Sequence, residues 1–138
     1  MTTEKESEVV AIMFRYLEQR YEKVRLEVHN FDIVAYSPRT GIDIFEAKLK
    51  DWKKVFSQAR YSQIFANHSY VVMPSKYIHL AVRNWDKAPV GIGLYEVGLK
   101  TEEVKLVYPS VINMNRSDKS VRRYEIPLLF SLFLGRPF

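Results

Sequence analysis

The chain has 138 residues, 47% apolar and 27% charged, which fits a single globular domain over residues 1–138. Two Trp, nine Tyr and eight Phe exclude an open disordered chain, and the absence of cysteine excludes a disulfide scaffold, thiolate zinc sites and cysteine nucleophiles. The net charge is only +5, but it gathers in two places: Lys48, Lys50, Lys53, Lys54 and Arg60 against Asp51 alone, and Arg116, Lys119, Arg122 and Arg123. Such patches on a nearly balanced body suit a polyanion touched at defined points, or a solvated helix face.

Val9, Val10, Met13, Leu17 and Tyr21 recur at helical spacing and predict a helix over 4–21, with acids in its first turn. Alternation of Val24, Leu26 and Val28 with Arg25 and Glu27 predicts a half-buried strand over 23–30. A second strand is expected over 31–36. The turn chemistry of Ser37-Pro38-Arg39-Thr40-Gly41 follows, then a third strand over 42–49. Helical spacing returns over 51–66, with Asp51 as N-cap. A short strand is expected over 69–73, a helix over 75–86, and strands over 90–97 and 104–108. A polar loop covers 111–120, and an apolar helix, Leu128–Leu134, lies between Pro127 and Gly135.

This order implies an α/β domain: a central mixed sheet flanked by helices, with a core of about 4–74 and a C-terminal extension of about 75–138. No apolar run reaches the ~18 residues of a membrane span. The polar start Met1-Thr2-Thr3-Glu4-Lys5-Glu6 has no apolar core, so a cytoplasmic protein without a membrane partner is expected.

Chemistry concentrates on the third strand. Glu46 and Lys48, two apart in an apolar run, share one strand face, while Phe45, Ala47 and Leu49 share the other. Asp32 interrupts the second strand between Phe31 and Ile33. If the turn is centred on Arg39, residues whose numbers sum to 78 face each other, and Asp32 opposes Glu46. Two carboxylates so placed repel unless a cation lies between them, and carboxylate oxygens with open positions suit Mg²⁺ or Mn²⁺. Lys48 on the same face can stabilise phosphate charge. An ordinary salt-bridge network of Asp32 and Glu46 with Lys48 and Arg25 fits the same residues. Glu103-Val104-Lys105 repeats the Glu-x-Lys spacing after a polar turn, so that spacing alone is weak.

Asp32, the turn and Glu46-x-Lys48 together resemble the PD-(D/E)xK nuclease superfamily, whose restriction-endonuclease-like fold includes archaeal Holliday junction resolvases. The resemblance covers 4–74. It implies a divalent-metal-dependent DNA endonuclease with Asp32 and Glu46 as metal ligands, the backbone carbonyl of Ala47 as a third, Lys48 as the motif lysine, and the first-helix Glu8 facing the site directly or through water. Gln58-Ala59 resembles the Gln-Ala-x-x-Tyr motif of one branch, which implies a catalytic Gln58. The tyrosine stands one position early, at Tyr61, with Ser62 in its expected place, and Phe31 replaces the proline before Asp32.

Lys50, Lys53, Lys54 and Arg60 are candidate DNA contacts or a wet helix entrance. Glu8 and Gln58 also fit solvated helix positions. His29, His68 and His79 show no metal-ligand spacing and are expected to be structural or exposed. The apolar C-terminal segment offers a homodimer contact or closes the monomer core. The alternatives to an enzyme are a non-catalytic nucleic-acid-binding module, a nuclease-fold subunit of a larger DNA-processing complex, or an assembly protein.

Overall fold

The structure, a computed structural model, describes residues 5–111. Over these residues it is an α/β fold: α1 (Glu6–Glu18), β1 (Lys23–Val28), β2 (Phe31–Ser37), β3 (Gly41–Ala47), α2 (Trp52–Ser62), β4 (His68–Pro74), α3 (Ile78–Arg83), a 3₁₀ turn (Trp85–Lys87), β5 (Gly93–Val97) and β6 (Val104–Tyr108). The six strands form one mixed sheet in sequence order. β1, β2 and β3 are an antiparallel meander, β3, β4 and β5 are parallel, and β6 returns antiparallel. Parallel pairing of β3 with β4 requires a crossover, which α2 supplies. The expected helix Leu128–Leu134, the polar loop beyond 111 and the basic cluster Arg116–Arg123 lie outside the described residues.

Helices cover both faces. On one, Val9, Met13 and Leu17 of α1 pack on Ile33, Ala35, Phe45, Ala47, Val72 and Val97. On the other, Val55, Phe56 and Ala59 of α2 pack on Val71, Met73 and Leu94, and Phe65 and Ala66 pack on Val34, Ile42 and Ile44. Odd-numbered residues of β3 therefore face α1 and even-numbered ones face α2, as the pleat dictates. The β2–β3 ladder runs from Ser37↔Gly41 to Ile33↔Phe45, the register expected from the turn. Gly41 permits that turn: its φ is +79°, and a Cβ there would meet the Asn67 side chain at 2.4 Å. Asn67 then holds the start of β3, with Oδ1 accepting from the Ile42 amide at 3.0 Å and its own amide donating to the Ile42 carbonyl at 2.7 Å.

Three expectations change. The first helix ends at Glu18 rather than 21, and Tyr21 turns its hydroxyl to Asp43 Oδ2, 2.6 Å away. Leu26, expected inside, is 46% exposed: it sits on the edge strand, and Glu27 (φ +54°) interrupts the alternation so that only Val24 and Val28 are buried. The helix expected over 75–86 is α3 followed by the 3₁₀ turn, and there the Asn84 side-chain amide donates to the Leu80 carbonyl at 2.8 Å. A side chain that competes for helical acceptors interrupts the ladder.

Candidate metal and phosphate site

The β1–β2 hairpin turns on His29 (φ +49°) and Asn30 (φ +66°), between the paired Val28 and Phe31. Two successive left-handed residues give the twist that a two-residue hairpin requires. Three non-glycine residues with positive φ within four positions concentrate backbone strain at the rim of a cleft. That cleft, about 280 Å³, is lined by His29, Asn30 and Phe31 of the hairpin, Glu46 of β3, and Ser57, Gln58 and Tyr61 of α2.

Alternation breaks at the start of β2. Phe31 joins Val34 in the cluster on the α2 side, whereas Ile33 and Ala35 belong to the α1 side. Between them Asp32 accepts the Ala47 N–H on Oδ2 at 2.8 Å. In an extended strand the N–H and C=O of one residue point toward the same neighbouring strand, so the Ala47 carbonyl opens on the Asp32 side.

Glu46 is 1% exposed, and its Oε2 is buried without a hydrogen-bond partner. Gln58, on the facing helix, has an Oε1 in the same condition. Burial, and then the Asp32 carboxylate beside it, push the Glu46 carboxyl up to about 9 from an ordinary 4.5; the Lys48 charge offsets this only in part. An acceptor oxygen buried next to a second carboxylate, with a carbonyl nearby, is a donor set for a hard divalent cation. By this test Asp32, Glu46 and the Ala47 carbonyl fit Mg²⁺ or Mn²⁺. Among the described residues no group of three or more His, Asp or Glu gathers to hold a metal ion, so the set has two carboxylates and backbone.

Lys48 lies one residue beyond β3, its amide still donating to the Val72 carbonyl at 3.3 Å. It was expected to share the Glu46 face. Its ammonium instead pairs with Glu6 Oε1 of α1 at 3.2 Å, on the helix that covers the opposite face, while its charge still reaches Glu46. The first-helix carboxylate at the centre is therefore Glu6 and not Glu8. Glu6 and Glu8 are separated by about 200° around the helix; the Glu6 carboxylate meets Lys48, while Glu8 donates its backbone N–H to the Lys5 carbonyl at 3.0 Å. Both are first-turn acids, and helical spacing alone did not say which one faces the strand ends.

Gln58 lies in the cleft, with Tyr61, half exposed, beside it. Ser62, which occupies the motif tyrosine's place, is fully buried and bonds Ala59 O at 2.9 Å and Ser69 Oγ at 2.5 Å. Tyr61, not position 62, thus joins Ser57 and Gln58 of α2 in lining the cleft. Of the basic candidates, Lys53 and Arg60 line a second depression beside α2, together with Lys87, which the sequence reading missed. Lys50 and Lys54 are exposed and line neither depression. His68 is structural, its Nδ1 lying 2.8 Å from Asp43 Oδ1.

No protein-family model and no curated protein matches the chain. Among solved structures it is similar to a protein of unknown function from Silicibacter pomeroyi, with a TM-score of 0.69 and 9% identity over 98% of this chain and 88% of that one. At that identity the likeness is one of fold. No helix among the described residues is long and apolar enough to cross a membrane.

Proposed function

We propose that the protein is a divalent-metal-dependent DNA endonuclease of the PD-(D/E)xK kind, hydrolysing phosphodiester bonds at the Asp32–Glu46–Lys48 centre. One observation carries the reading: a buried glutamate with an unpaired oxygen stands against a second carboxylate, with a lysine in electrostatic range. Asp32, Glu46 and the Ala47 carbonyl would hold Mg²⁺ or Mn²⁺. When bound, such an ion supplies Lewis-acid neutralisation of a phosphate.

The remaining roles belong to the chain itself. Glu6 orients the Lys48 ammonium through their ion pair. That ammonium can donate to a phosphate oxygen whose charge grows as water attacks phosphorus. Gln58 offers an amide from the opposite wall of the cleft to orient a phosphate oxygen or a water. The Ala47 N–H fixes the Asp32 carboxylate, so the acid is oriented before any ligand arrives.

A second reading, a non-catalytic nucleic-acid-binding module or subunit, is favoured by the engagement of Lys48 with Glu6 and by the carboxylate count of two. Cleavage assays on linear and branched DNA with Mg²⁺ or Mn²⁺ separate the two. The nuclease reading expects turnover, abolished by Asp32→Ala and reduced about 10²–10³-fold by Lys48→Ala. DNA binding with no turnover under any divalent ion would favour the second.

A further inference from the structure

Beside the cleft at Glu46, α2 borders a larger groove of about 720 Å³, closed on its far side by residues 87–90. Lys53 and Arg60 of α2 and Lys87 of the facing segment line it, and no acid does so among the described residues. The ammonium groups of Lys53 and Lys87 each lie 5.5 Å from the centroid of the Trp52 ring. Two cations thus converge on one indole from elements 34 residues apart in sequence, and Lys87 Nζ also lies 3.5 Å from Asn84 Oδ1.

The indole itself is braced. Trp52 packs edge-on against Phe56 at 5.7 Å, and Phe56, 4% exposed, packs edge-on against Trp85 at 5.6 Å. Gln63 closes the wall by donating to the Val90 carbonyl at 2.8 Å. Ser57 lines both this groove and the Glu46 cleft, so the two depressions adjoin on the outer surface of α2.

We propose that the groove binds an unpaired stretch of DNA strand, with phosphates on Lys53, Arg60 and Lys87 and a base against Trp52. Cations with an aromatic floor are the elements of single-strand recognition, because every base offers a stacking face once it leaves the helix. The groove has the size of a small-ligand site, which suits about one or two nucleotides and excludes a duplex segment. Its adjacency through Ser57 makes the bound stretch a neighbour of the phosphate at Glu46. That last link rests on the nuclease reading, whereas the affinity for a single strand does not.

The test is equilibrium binding of fluorescently labelled dT12 to the full chain, by anisotropy, with EDTA present so that no cleavage intervenes. We expect Lys87→Ala to lower the slope of log affinity against log salt by about 0.7, and Trp52→Ala to weaken binding about 5- to 100-fold. Trp52→Phe, which keeps a ring, should retain most of the affinity, and a 12-base-pair hairpin duplex should bind more weakly than dT12. The proposal fails if the parent does not bind dT12, if Lys53→Ala and Lys87→Ala bind as the parent does, or if the duplex binds equally well. Asp32→Ala separates the two readings: it should abolish cleavage while leaving dT12 binding intact. Loss of dT12 binding in the groove variants of a protein that never cleaves would uphold the groove and reject the nuclease.

Discussion

Asp43 and Glu46 stand three residues apart on β3, each 1% exposed, on opposite faces of the sheet. Asp43 is fully engaged: one oxygen takes the Tyr21 hydroxyl at 2.6 Å and the other lies 2.8 Å from His68 Nδ1. Glu46 keeps one oxygen unpartnered and has a like charge for a neighbour. Burial alone therefore does not mark a functional acid, since both are buried. What distinguishes them is completion. The Asp43 network joins the segment after α1 to β3 and β4 and gives each carboxylate oxygen a partner. The Glu46 site is left electrostatically open, at a cost the surrounding fold must carry.

The contrast breaks most visibly at Asp43. Asp43→Ala strands the Tyr21 hydroxyl and the His68 ring beneath α1, and chemical denaturation should register a loss of about 3 kcal/mol. Divalent ions should then act on Glu46 alone. Mn²⁺ at about 100 times its dissociation constant should raise the parent's stability by about 2.7 kcal/mol, with no such gain in Glu46→Gln or Asp32→Ala. An equal gain in those variants would move the cation elsewhere.

The proton on Glu46 gives an effect with a definite sign. Its folded pKa of about 9 lies above the ordinary 4.5. Its contribution to stability is therefore fully present below about 4.5 and is lost as pH rises through about 9. Without metal, the stability of the parent relative to Glu46→Gln should fall across that window. Near pH 7 ion binding should release up to about one proton, measurable by calorimetry in two buffers of different ionisation heat. Smallest of all, Glu46→Gln at about pH 4 without metal should shift stability by less than about 1 kcal/mol, because there the acid is largely protonated in both folded and unfolded chains and is replaced by a neutral amide of the same shape.

The fold was largely legible in the sequence because its signals are local. The turn at 37–41 and the alternation on either side of it predict the β2–β3 register that is observed, and with it the approach of Asp32 to Glu46. Asp51 caps α2 as its side chain suggests, accepting the Lys54 amide at 3.1 Å. The failures are features that no single stretch of chain contains. Whether Glu6 or Glu8 meets Lys48 depends on how α1 is rotated on the sheet. Lys87 joins the α2 cations only because the 87–90 segment folds back on that helix. Nothing local marks Asp43, because its partners Tyr21 and His68 arrive from different elements. Leu26 followed the strand period, but a left-handed residue next to it on an edge strand overrides that period.

The clamp of Asn67 on Ile42 has a consequence for how such a chain tolerates change. With Ile42 held by two bonds, the segment from 42 to 46 works as a ruler that delivers the glutamate four residues on. Removing one residue within it carries the acid through the pleat into the apolar layer beneath α1, whatever the letters that remain. Scanning single-codon deletions should find this short stretch intolerant by length, even where exchanges of Ile42 or Ile44 for another aliphatic residue pass unnoticed.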